Sequence, residues 1–210
     1  MAETQSVDID FDHGFSHDIY KSLSEVTSRV HCVWLVKEWG GKSQGGITVH
    51  NQMGWLEDHV TCHIATFRDA GVRYFRRILV FLELDQVNDL VVESADHLAK
   101  VHQAKINFVG YLGPDANKVM AERLEDYLQF TVDKVSAPAR YAVIDGETKE
   151  AALVTASIEN DLLLLRSERH HTGWARMFGT RQDRLIEKAA CSVVSLQAYV
   201  DGSDPTQQTS

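Results

Sequence analysis

The residues best suited to chemistry lie in one stretch, 160–180, N-D-L-L-L-L-R-S-E-R-H-H-T-G-W-A-R-M-F-G-T. Arg166, Arg169, His170, His171 and Arg176 precede the pair Gly179-Thr180. Guanidinium groups grip carboxylates and phosphates at two points, and the backbone amides at a helix start attract anions. Together they would make a cationic mouth for an anion. A second reading uses the same residues. The arginines pair with nearby acids such as Glu83 and Glu168, closing the site. Thr180-x-x-Asp183 is then a capping box, which accounts for Thr180 without a ligand. Trp174 suits stacking on a base or anchoring the loop by burial.

Other constellations are weaker. His59 and His63 stand four apart, with Asp58 and Cys62 beside them, a spacing that on a helix could ligate zinc. No glutamate is placed as in H-E-x-x-H, and no metal is expected. Gly40-Gly41-Lys42-Ser43 lacks the G-x-x-x-x-G-K-[ST] spacing of a phosphate loop and reads as a linker. No serine or cysteine has an evident base partner, and Cys191 is expected to be buried and inert. The chain is not expected to be an enzyme.

Composition narrows the setting. The 210 residues are 44% hydrophobic and carry a formal charge of −9. That acidity argues against nucleic acid as a partner. Three widely spaced cysteines, with no C-x-x-C, suit a reducing compartment, and a cytoplasmic location is expected. No apolar run approaches the roughly 20 residues of a membrane span.

The elements that must position the loop follow from hydrophobic period. Residues 7–11 alternate as a short strand, and Ile19, Leu23, Val26 and Val30 mark a helix face. Cys32 to Val36 is a buried strand, and the glycine-rich 39–46 is a boundary. Leu56, Val60, Ile64 and Phe67 predict a helix over 54–68, stopped at Gly71. Strands are then predicted at 78–84, 106–112, 140–144, 161–165 and 191–199, with helices over 87–102, 120–135, 147–159 and 182–189. Alternating elements with near-continuous apolar strands imply a doubly wound α/β domain with a five-stranded parallel sheet. Ligands of such sheets sit beyond the strands' carboxyl ends, where strand order reverses. The last ten residues are expected to be a disordered tail.

Residues 76–199 resemble a universal stress protein domain. Ile78-Leu79-Val80-Phe81-Leu82-Glu83 stands where such domains open with I-L-V-P-V-D. Asp161-Leu162-Leu163-Leu164-Leu165-Arg166-Ser167-Glu168-Arg169 matches the closing D-L-[LIV]-V-[ML]-G-S-R-G. Gly179-Thr180 matches the later glycine-serine pair, and Cys191 with Val193-Val194 the last strand. The resemblance implies strand order 3-2-1-4-5, with the switch point between the first and fourth strands. It also implies a degenerate nucleotide site made of Glu83, Arg166, Arg169, Gly179 and Thr180. Nucleotide-binding members carry G-x2-G-x9-G-[ST]. Here the spacing is kept, but Arg166 and Arg169 replace the first two glycines and would fill the phosphate volume. Glu83 replaces an aspartate of the base and ribose side. These departures count against ATP, while leaving ATP or another adenine nucleotide as the one cofactor the family suggests. In this family the last strand, here Ser192 to Tyr199, commonly pairs across a homodimer.

The unit at 7–36 resembles the end of a second such domain, because Ser22 to Val36 parallels Asp183 to Leu196: helix, cysteine, apolar strand. The expected division is a partial β-α-β unit and linker over 1–46, a connecting helix in 47–75, a universal stress-like domain over 76–200 and a tail at 201–210. Such duplication is typical of tandem universal stress proteins. It is equally typical of cytosolic tails of transporters such as amino-acid permeases and cation–chloride cotransporters. The expected function is a non-catalytic regulatory domain acting by dimerisation or docking, as on a membrane transporter. The alternative is a sensor of ATP, AMP, a cyclic dinucleotide or another anion.

Overall fold

The apolar runs become strands and the amphipathic stretches become helices in the computed structural model, which describes residues 17–39, 59–167 and 181–199. In chain order they are α1 (Ile19–Arg29), β1 (Trp34–Glu38), β2 (His63–Arg68), β3 (Arg77–Phe81) and α2 (Asp89–His102). There follow β4 (Lys105–Leu112), α3 (Lys118–Lys134), β5 (Ala139–Asp145), α4 (Lys149–Ser157), β6 (Leu162–Arg166), α5 (Arg181–Lys188) and β7 (Ser192–Gln197). All seven strands share one sheet, in the order β1-β2-β7-β6-β3-β4-β5. Each described neighbour pair is parallel except β2 with β7, which is antiparallel. Counted from β3, the five strands β5-β4-β3-β6-β7 run 3-2-1-4-5.

Alternation along the strands feeds two cores. Ile78, Val80, Leu162 and Leu164 face one side, where they pack with Val91 and Ala95 of α2 and Leu124 and Leu128 of α3. Leu79, Phe81, Leu163 and Leu165 face the other, with Leu153 of α4 and Leu185 and Ile186 of α5. The four leucines of β6 are each at most 1% exposed. At about 1.5–3 kcal/mol for each such side chain, burial outweighs leucine's helical preference. Gly110 in β4 lets Leu124 of α3 pack directly on the strand backbone. A β-carbon there would lie 2.5 Å from a Leu124 methyl.

Polar side chains fix the strand ends. The Asp161 carboxylate accepts from the backbone amides of Arg76 (2.8 Å) and Arg77 (2.9 Å), aligning the starts of β6 and β3. Asn117 and Thr148 cap α3 and α4 through their side-chain oxygens.

The N-terminal part departs from expectation in three ways. The strand expected at 7–11 lies outside the described residues. The helix expected over 54–68 is not formed across its second half, because 63–68 is β2. Val60, Cys62 and Ile64 pack on one side with Leu23, Cys32 and Leu35, while Ala65 and Phe67 join the first core on the other. That is period two, and the sheet edge of β7 rewards it with a full ladder of hydrogen bonds. Finally, β1 and β2 extend the five-stranded sheet to seven strands. β1 beside β2 repeats the relation of β6 to β7, so the antiparallel β2–β7 pair sits between two like halves. By sheet position, Cys62 before β2 matches Cys191 before β7. The expected equivalence of Cys32 with Cys191 is therefore one strand out of step.

Candidate functional site

β3 and β6 are parallel neighbours, with Ile78 opposite Leu162 and Val80 opposite Leu164. Beyond their carboxyl ends the chain departs in opposite directions along the sheet, toward β4 from β3 and toward β7 from β6. This is the switch point at which α/β sheets bind ligands. The structure brings Glu83 and Arg166 together there. Both line one crevice, with Phe81, Asn88, Lys149 and Gln182. Arg169, Gly179 and Thr180 lie outside the described residues, as do His170, His171, Trp174 and Arg176.

The crevice is occupied by the protein's own side chains. Lys149, the first residue of α4, places its Nζ 2.8 Å from Glu83 Oε1, and both side chains are less than one-third exposed. The same ammonium lies 5.6 Å from the centre of the Phe81 ring. Arg166 turns across the mouth and donates from Nη1 to the Val87 carbonyl at 3.3 Å. Its own carbonyl accepts from Gln182 Nε2 at 2.6 Å, tying β6 to α5. Asn88 Nδ2 donates to the carbonyls of Glu83 (2.7 Å) and Gln86 (3.0 Å) and lies 2.9 Å from the Tyr127 hydroxyl. That holds the turn after β3. Between these described walls remains a cavity of about 20 Å³, the room of a single water molecule.

Glu83 carries an ion pair, but with a different cation from the expected arginine. Among the described residues Glu83 pairs with Lys149, and Arg166 reaches a backbone carbonyl. Sequence reasoning missed Lys149, Asn88 and Gln182. One signal for Lys149 was available: an ammonium at the first position of a helix opposes the macrodipole and calls for a carboxylate.

The histidine pair does not share a helical face. His63 is in β2, where its Nδ1 accepts from the Tyr199 amide at 3.0 Å and its ring packs 5.0 Å from Trp34. Among the described residues no cluster of three metal-ligating side chains occurs. Cys191 is buried, and burial pushes its thiol up to about 11. A thiol so raised is a poor nucleophile.

The last strand is interior to the sheet. β7 pairs with β6 on one side and with β2 on the other, Ala65 opposite Leu196 and Phe67 opposite Val194. The homodimer expected through Ser192 to Tyr199 therefore has no free edge to use. β2 occupies it from within the same chain. Among the described residues no helix is long and apolar enough to cross a membrane.

No family model matches the sequence, and no curated protein matches it. Solved structures do. A universal stress protein from Archaeoglobus fulgidus DSM 4304 superposes with a TM-score of 0.63 at 13% identity, over 86% of this chain and 65% of its own. The cytoplasmic domain of a prokaryotic cation chloride cotransporter gives 0.61 at 12% identity, over 84% and 70%. A universal stress protein in complex with cAMP gives 0.50 at 16%, over 60% of this chain and 99% of its own. This chain thus spans under two-thirds of the Archaeoglobus protein. Its fold is the universal stress protein fold, with two further strands on the β7 edge.

Proposed function

We propose that this chain is a non-catalytic regulatory module, working by docking, and that it forms the cytosolic regulatory part of a membrane transporter. The carrying observation is the closed switch point: the Glu83–Lys149 ion pair stands where a ligand would enter, and about 20 Å³ remains between the described walls. The likeness to the cotransporter domain supports the transporter setting. Like the Archaeoglobus universal stress protein, which covers 86% of this chain, it covers 84%, more than the five-stranded unit alone, whereas the single-unit cAMP complex covers 60%. The same contrast supports reading β1 and β2 as the remnant of a second copy, with a complete copy from about residue 76 onward. With β7 closed, docking uses another surface than the last strand.

A second reading is favoured by the neighbour solved with cAMP. In it, Glu83, Arg166, Arg169, Gly179 and Thr180 still form an adenine-nucleotide or anion site. Thermal unfolding with ATP, AMP, cAMP and a cyclic dinucleotide separates the two. The docking reading predicts no shift at millimolar nucleotide. A reproducible stabilisation lost in Gly179→Val would establish the sensor instead.

A further inference from the structure

Cys32 and Cys62 are far apart in the chain and neighbours in the fold. β1 and β2 are parallel partners in which Trp34 faces His63, so just ahead of the paired strands Cys62 is level with Val33 and Cys32 stands one residue behind it. With strands about 4.8 Å apart and a rise of about 3.3 Å per residue, a one-residue offset gives a Cα separation of about 6 Å, within what a disulfide spans. Both thiols belong to one small cluster with Leu23, Leu35, Val60 and Ile64, beneath α1. Cys32 Sγ lies 3.0 Å from the Trp34 carbonyl oxygen. Both cysteines are free.

We infer that Cys32 and Cys62 form a thiol–disulfide switch, closed by exchange with a low-molecular-weight disulfide. The two cysteines have different parts in it. Cys32 is partly exposed and meets the small disulfide first. It gives its proton to water, and its thiolate attacks one sulfur, breaking that S–S bond. The first small thiolate leaves and takes up a proton. Cys62, 5% exposed, then attacks the Cys32 sulfur of the mixed disulfide and displaces the second small thiol. Two protein thiols are oxidised, and one small disulfide is reduced to two small thiols. Burial, followed by the neighbouring Cys32, pushes the Cys62 thiol up to about 11. That keeps Cys62 protonated and a poor nucleophile in the reduced pair, so its attack on the mixed disulfide is the slow step of the exchange. The crosslink ties the starts of β1 and β2 together and closes the loop between them, raising the midpoint of thermal unfolding by roughly 5 °C.

The test is oxidation of the full chain with a glutathione redox couple, followed by thiol counting in denaturant and peptide mapping. The expected product is a monomer that has lost the mass of two hydrogens. It retains one of three titratable thiols, on Cys191, and yields a 32–62 crosslinked peptide. Cys62→Ser should trap one glutathione on Cys32, and Cys32→Ser should trap none. Retention of all three thiols under conditions that oxidise a reference dithiol overturns the inference. So does a persistent mixed disulfide on wild-type Cys32, or a crosslink that joins two chains or involves Cys191. The wild-type map alone decides the matter if either variant fails to fold.

Discussion

Lys149 holds an awkward position for a cation, at the start of α4, where the helix dipole is positive. Glu83 at 2.8 Å offsets that cost, and the aromatic ring of Phe81 adds to it. Lys149→Met should leave the half-buried carboxylate without this partner and cost about 1–2 kcal/mol, between the exposed and the buried limits for an ion pair. Urea denaturation of Lys149→Met, Glu83→Gln and the double variant measures it. The double variant should recover part of the loss, since it strands neither charge. Asp96 gives a second residue-scale prediction. Burial would raise its carboxyl, but hydrogen bonds from Lys100, from the Ala137 amide and from the Ser136 hydroxyl and amide outweigh this. They hold it at about 2, below 3.8. A depressed carboxyl stabilises the fold fully above its unfolded pKa. That contribution is lost as the pH falls from about 4 through about 2. Asp96→Asn should therefore flatten the acid limb of stability against pH, measured by urea midpoints across that range. Glu83 and Arg166 were legible in the sequence because motif spacing fixes them. Lys149 was not, because its partner lies 66 residues away and only the crossover geometry joins them.

At the scale of elements, β2 decides what the sheet edge can do. In the sequence leading into it, Leu56, Val60, Ile64 and Phe67 fit a helical period, yet Val60, Cys62 and Ile64 fit a strand period equally well. Short apolar runs do not settle that choice. The unsatisfied edge of β7 settles it, and that edge belongs to a strand more than a hundred residues later, which no local pattern reports. The five strands from β3 to β7 were legible for the opposite reason. They alternate with helices, and the apolar runs of β3, β4, β6 and β7 are largely buried, with β5 partly buried at the sheet edge. Thr66→Pro removes the backbone N–H that β2 presents to β7 opposite Ser195. It should destabilise the chain by about 3 kcal/mol or more and free the β7 edge. Denaturation gives the first number. Light scattering should show concentration-dependent self-association in the variant beyond that of the wild type.

For the whole molecule, the antiparallel β2–β7 pair joins β1 and β2 to the five-stranded unit inside one chain. The contact that a second protomer could supply is thus supplied internally. The formal charge of −9 leaves nucleic acid an improbable partner. On the proposed reading, the Glu83–Lys149 pair at the switch point makes docking, rather than small-ligand binding, the function to test. The most direct test is a backbone NMR titration of the full chain with ATP and with cAMP. The resonances of Glu83, Asn88, Lys149, Arg166 and Gln182 are the ones to follow. A closed crevice predicts that these amides stay in place up to millimolar nucleotide. Saturable shifts centred on them, with disruption of the Glu83–Lys149 pair, would contradict it.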